Sequence, residues 1–472
     1  MAVMLSRDGG DNVKRKNTLI LIGMVILLGL SACGGFSTAD PTATPVPPTA
    51  TLVQPTVILV DGTPQVVVEP VNPTPTPDLV NPNPVRITEL EYVQNGSQLQ
   101  IIAKLFNTLT DFILRDVQVE VLALDASGNR IAQEVRTVRY LFPRETTGLV
   151  QDFELLPGLQ TDSVEVRVKE GLKDRQLRYS QPLVVNNTSW VEAEEGIRLT
   201  GWINNSDPYT YSNVELNAIA YSAAGLIIGG GRGRIDFVPE KDRTGISVDA
   251  LIQADQEIAL VEIYPWITAQ SASLEGGTWW ENIEVKQWNF IADDYQHVSG
   301  GALLKNLTDR LLTETYYLLT VTDAADKVCL AEQGYIDLIW PKQELVFSPG
   351  VLDMPLDCVA QQVDMIIVPG EFGQFQLGYD PLEAGMPVVN EGGETASVNV
   401  INNLNADVSS VVVYLVITDA EGKIVGGGSV QSGNIRANSS ITVQVPIIYL
   451  GKLENLKLNA SVTIPMDVSL GQ

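Results

Sequence analysis

One histidine, His297, serves all 472 residues, and cysteine occurs three times. A single imidazole rules out multi-histidine metal centres and leaves one base for any Ser-His-Asp arrangement. Basic residues are scarce too: 30 Lys and Arg stand against 57 Asp and Glu, for a formal charge of −27. That balance cannot neutralise a run of phosphates, so it argues against nucleic acid and against electrostatic docking on anionic lipid. It favours solubility and mutual repulsion, which are properties of the surface and not of the fold. Helical periodicity is missing along the chain. Apolar residues nevertheless make up 45%, enough to build packed cores.

What is present begins at the N-terminus. Lys14, Arg15 and Lys16 precede the apolar run Thr18–Leu30, whose 13 residues suit a signal h-region better than a membrane span. The run ends in Leu30-Ser31-Ala32-Cys33, which resembles the bacterial lipobox. The resemblance implies that the Cys33 thiol is acylated, that residues 1–32 are removed, and that the protein sits outside the cytoplasm on a membrane lipid. An ordinary cleaved signal and an uncleaved anchor are the alternatives. Processing removes four basic and two acidic residues, taking the charge to −29.

Residues 33–84 are a proline- and threonine-rich tether. Twelve of the 26 prolines fall between Pro41 and Pro84, so the segment cannot build a helix. At ~3.1 Å per residue, its extended reach is on the order of 150 Å. Within it, Val57–Val68 reads either as a small hairpin around Asp61-Gly62 or as linker, the linker being the preferred reading.

From Val85 onward one pattern recurs: VQVEVLALDASGNRI at 117–131, VELNAIAYSAAGLII at 214–228, TYYLLTVTDAADKVC at 315–329 and VVVYLVITDAEGKIVGGGS at 411–429. Each reads as strand, turn, strand, with Val411, Val413, Leu415 and Ile417 alternating along one face of the last. The turn positions Asp125, Ser222, Asp323 and Asp419 are 97, 101 and 96 residues apart. A strand ending in asparagine precedes each turn, at Asn107, Asn204, Asn306 and Asn402. A second corner follows, at Leu141–Arg144, Phe237–Glu240, Ile339–Lys342 and Ile435–Asn438, the last without proline. Seven or so short strands per repeat predict an all-β chain of four tandem immunoglobulin-like β-sandwich modules, at 85–178, 179–281, 282–378 and 379–472.

The turn-bearing strands, ending VLALD, AIAYS, LTVTD and LVITD, resemble those of the FxLYD-type domains of bacterial surface lipoproteins, with Tyr221 keeping the signature tyrosine. The resemblance implies surface display rather than a defined activity.

Candidate chemistry is thin. Cys329 and Cys358, outside the cytoplasm, are expected to pair as a disulfide, with two buried thiols as the alternative. His297 lies near Asp293, Asp294 and Ser299, but G-x-S-x-G is absent, and Ser429, after three glycines, does not form that elbow. One acid per turn is too few for a calcium cage, so Asp125, Asp323 and Asp419 are turn formers. Neither a metal site, nor a cofactor, nor an enzyme is expected. Six tryptophans, Trp190, Trp202, Trp266, Trp279, Trp280 and Trp288, crowd module two and its junction with module three. Trp279, Trp280 and Trp288 are candidates for stacking on a glycan or anchoring an envelope protein, with Tyr209 and Tyr211 as weaker ones. The competing expectation is that the tryptophans pack the junction. The reading is a non-enzymatic lipoprotein displaying binding modules, with a carbohydrate-binding or enzyme-accessory role as the alternative.

Overall fold

Asp125 Oδ1 accepts from the N–H groups of Ser127 and Asn129, so the acidic side chain folds back on its own backbone. Asp323 does the same with Ala325 and Lys327, and Asp419 with Lys423. The residue that closes each turn is left-handed: Gly128, Gly225, Asp326 and Gly422 have φ of 77°, 75°, 61° and 84°. Each repeated segment is therefore an antiparallel hairpin, as its alternation and turn chemistry require.

The computed structural model describes residues 83–465, less 170, 176–180, 194–195, 269–270, 272, 276–280 and 374–378, together with 3–5, 57–60 and 63–66. The molecule is all-β, and the described residues include no helix long and apolar enough to cross a membrane. In the segment 9–82, taken by itself, Val57–Val60 pairs with Thr63–Val66. This corrects the linker reading of 57–68: within it, 57–60 and 63–66 pair as antiparallel strands. Val3–Leu5 pairs with Phe290–Ala292.

Each repeat builds a sandwich of two antiparallel sheets. In the first, Val85–Asn95, Gln98–Asn107 and Thr146–Glu154 form one sheet. Ile113–Leu124, Arg130–Leu141, Ser163–Val168 and Leu172–Asp174 form the other. Modules three and four repeat this plan, and in module two the pairing of Gly229 and Gly230 with Ile252 and Leu251 joins the two layers into one continuous seven-stranded sheet.

A buried asparagine locks the two sheets together in every module. Asn107 Nδ2 donates to the carbonyls of Phe112, Leu141 and Phe142, and its Oδ1 accepts from Leu109 N–H. Asn306 and Asn402 repeat this set with Ile339 and Trp340, and with Ile435 and Arg436. In module two the residue is Asn205, which donates to Tyr209 and Val238. The expected Asn204 is one position off, because adjacent strand residues face opposite ways. The corner shifts with it. Arg144, Lys241, Lys342 and Asn438 all have φ between 50° and 59°, so Glu240, and not Pro239, matches Pro143 and Pro341.

The modules are stacked sheet upon sheet. Residues 83–465 belong to one compact unit, and the first-built sheet of each module packs on the turn-bearing sheet of the next. Val93, Ile102 and Val150 of module one meet Ile219, Tyr221 and Ile227 of module two in one cluster. Between modules two and three, Trp202 Nε1 and Asn187 Nδ2 both donate to the Asp326 carbonyl, at 3.1 and 2.6 Å. Between modules three and four, Gln287 Nε2 donates to Gly422 O and Ser299 Oγ to Gly427 O, at 3.1 and 2.8 Å. The interface repeats as the modules do.

Stacking explains the burial pattern. In Ile113–Leu124, on an outer sheet, buried and exposed residues alternate over much of the strand; Tyr209–Tyr221, on an inner one, is buried at nearly every position. The same holds for Val411–Thr418, where Tyr414 and Val416 on the second face are covered as fully as Val413 and Leu415 on the first. Close approach needs small residues. A Cβ at Gly148 would lie 2.4 Å from the Tyr264 ring of module two, so glycine there lets the sheets touch.

Candidate functional site

Asn205 Oδ1 accepts from Asp207 N–H and Asn205 Nδ2 donates to Tyr209 O, which fixes the loop entering the strand Tyr209–Tyr221. Tyr211 folds back, and its hydroxyl donates to Asp207 Oδ2 at 2.6 Å. Tyr211 is buried, whereas Tyr209 is exposed. Both line a cleft of about 340 Å³ where module two meets module one. Module one supplies Arg115, Arg139, Tyr140 and Phe142 to its wall.

The charges lining this cleft balance in number, Arg115 and Arg139 against Asp174 and Asp207. Arg139 Nη1 donates to Thr268 O at 2.9 Å, and its guanidinium lies 5.5 Å from the Tyr140 ring centre. Arg115 pairs with Asp174 at 3.3 Å. The Tyr140 and Phe142 rings sit 6.4 Å apart, tilted by 35°. An aromatic-lined hollow with balanced charge suits a neutral polyhydroxyl ligand, whose C–H faces stack on rings while its hydroxyls meet polar groups.

The other expected site residues are dispersed. Trp279 and Trp280 lie outside the described residues. Trp288 is half-buried, 6.3 Å from Phe290, and packs against the core of module three, not against the cleft. Trp202 and Trp266 are buried at junctions: Trp202 lies under the Arg243 guanidinium, and Trp266 reaches into the core of module one. Cys33 also lies outside the described residues. A disulfide joins Cys329 and Cys358, with Cα atoms 5.8 Å apart.

His297 Nδ1 contacts Asp293 Oδ2 at 2.9 Å, and Nε2 faces Asp353 at 3.4 Å. Burial pushes the Asp293 carboxyl up, but bonds from His297 and Tyr295 outweigh it and hold it below its usual value. Ser299 completes no triad, because its buried hydroxyl is spent on Gly427 O. Among the described residues there is no group of three or more His, Cys, Asp or Glu placed to hold a metal.

Arg115, Arg139 and Tyr140 were not legible as site residues. They lie on strands of module one that carry no local mark of the neighbouring module, and Phe142 stood out only as part of a corner. Tyr221, by contrast, already stood out in the sequence, at the end of its turn-bearing strand. Its hydroxyl donates to Glu262, which also takes the Tyr264 hydroxyl and pairs with Lys104 of module one at 2.9 Å.

No family model matches the chain, and no curated protein does. Among solved structures it is similar to dimeric latent PorU from Porphyromonas gingivalis, at 12% identity over 82% of this chain and 33% of that one, with a TM-score of 0.14. It is also similar to trypsin-activated alpha-2-macroglobulin from Escherichia coli, at 8% identity over 78% and 30%, with a TM-score of 0.11. The chain thus spans about a third of the length of either.

Proposed function

We propose that this chain is a non-enzymatic, extracytoplasmic lipoprotein of the FxLYD-like kind, held to the membrane through acylated Cys33 and displaying four sandwich modules beyond a proline-rich tether. The observation that carries the reading is the repeated interface between modules. Three junctions of one design, each closed by buried hydrogen bonds, turn four small sandwiches into one stiff body. A stiff body on a long tether suits a structural or adhesive role, holding a surface at a set distance from the membrane. On this reading, processing also removes Val3–Leu5 and frees the edge at Phe290–Ala292. Palmitate labelling tests it: the wild-type chain takes up label and Cys33→Ala does not. Uptake by the variant would sink the proposal.

A second reading, a carbohydrate-binding or enzyme-accessory protein, is favoured by the cleft at Tyr209. Titration of the protein with envelope and plant polysaccharides should then give a saturable change in tryptophan or tyrosine fluorescence that Tyr209→Ala weakens. A response untouched by Tyr209→Ala would place sugar binding elsewhere.

A further inference from the structure

Within residues 83–465 the first strand of each sandwich borders its sheet, and the four modules guard that border differently. Module one carries Glu89 and Glu91 there, opposite Lys104 and Ile102 of the next strand, and module two carries Glu192 opposite Ile197. Charge on an edge strand deters pairing with a further strand. Module four is guarded by length, its border being split into Leu382–Ala384 and Val388–Val389. In module three the matching positions, opposite Leu303, Gly301 and Val298, hold Gln287, Asn289 and Ala292. From Gln287 to Ala292 the strand has no charge.

The same stretch is covered on both faces. Phe290 and Ile291 are fully buried. Phe290 belongs to the core of module three, while Asn289 Nδ2 donates to Ile424 O of module four at 2.7 Å. An uncharged strand covered on both faces has the character of a central strand. The structure completes it as one: Val3–Leu5 runs antiparallel along its open side, with Val3 opposite Ala292, Met4 opposite Ile291 and Leu5 opposite Phe290.

We propose that this border is a strand-acceptor site, taking an extended, uncharged, apolar segment of another envelope protein in antiparallel pairing. The site opens only on the lipoprotein reading, on which it rests, because processing removes the residues that now lie there. The backbone groups of Phe290–Ala292 supply the hydrogen bonds, so affinity follows from an extended main chain. Selection falls to the faces. An incoming residue opposite Phe290 or Ala292 lies on the side of the module-three core, which an apolar side chain suits and a charge does not. A second copy is a poorer occupant, since two chains this acidic repel one another.

The test is fluorescence anisotropy of a labelled peptide, acetyl-Ala-Val-Met-Leu-Ser-amide, titrated with the mature chain recovered from membranes. Binding should be saturable, and the unprocessed chain should bind more weakly because its own residues 3–5 occupy the edge. Ala292→Glu, which installs the charge of module two, should weaken binding about tenfold and leave the melting temperature near that of the wild type. Methylating alternate backbone nitrogens of the peptide removes donors without touching side chains. One of the two alternate sets should abolish binding and the other should not. The mass of the N-terminal peptide separates this site from the reading beneath it. A membrane-bound chain that keeps Met1 overturns both, whereas a processed chain that leaves the peptide unbound overturns the strand-acceptor site alone. So does binding that both methylated peptides retain, or that Ala292→Glu leaves unchanged. Self-association of the mature chain, abolished by Ala292→Glu, would give the edge to a second copy and overturn the site as stated.

Discussion

Trp266 of module two donates its indole N–H to Thr147 Oγ1 of module one at 2.8 Å, across a boundary 119 residues wide in sequence. The ring is 4% exposed and belongs to the core of module one. Core clusters crossing a boundary recur further along, where Leu318 joins the core of module two and Tyr414 that of module three. The modules therefore stabilise one another, and their stabilities should not be independent.

Opening one junction should show this. Gly148→Val places side-chain atoms where the Tyr264 ring and Ile219 now sit. Differential scanning calorimetry should show the wild-type transition split, with module one melting earlier. Overpacking at such a contact costs about 1–3 kcal/mol. A single unshifted transition would mean that the stacking contributes little.

Glu145 gives stability a pH dependence. Burial pushes its carboxyl up from 4.5 to about 7, against the opposing bond from Phe142 N–H. A raised carboxyl means that the folded chain holds a proton the unfolded chain has already released. Its contribution is therefore intact below pH 4.5 and is lost as pH climbs towards 7. Module three has Gln343 at this position, accepting from Trp340 N–H at 2.8 Å. Glu145→Gln should be near neutral at pH 4 and stabilising by about 2 kcal/mol at pH 8. Urea unfolding at both values checks it, and an equal offset at the two would refute it.

Asn402 represents the asparagine lock. It is fully buried and donates to the carbonyls of Ala406, Ile435 and Arg436. Asn402→Ala should cost about 3 kcal/mol, since it strands three carbonyls and the Leu404 N–H in the interior. Asn204→Ala, one residue from the lock of module two, should cost well under half of that. Similar losses for both in chemical denaturation would remove the distinction.

The Cys329–Cys358 bridge closes a loop with a sequence separation of 29. On the loop-entropy model it is worth about 3.5 kcal/mol. Reduction, or Cys329→Ser with Cys358→Ser, should lower the unfolding midpoint of module three by a corresponding amount. A non-reducing peptide map should contain the Cys329–Cys358 peptide and lose it on reduction.

The sequence by itself determined what depends on near neighbours. Apolar alternation, the aspartate turns at Asp125, Asp323 and Asp419, and the spacing between them announced four β modules, because strand pairing and turn closure act over a few residues. Even the off-by-one at Asn204 is a local ambiguity: two adjacent asparagines look alike until the corner carbonyl of Val238 selects Asn205. The tertiary structure decided how the modules meet. Glycines at 148 and 427, hydroxyls at Thr200 and Ser299, and the second apolar face of Val411–Thr418 carry no mark of their partners, which lie in the neighbouring module far away in sequence. The aromatic clefts followed the same rule. Trp288 stood out by composition yet packs a core, while Tyr317, Phe347 and Tyr414 surround a cavity only because one sheet is laid upon another. Burial and cavity shape are properties of long-range packing, and that information is distributed over both partners.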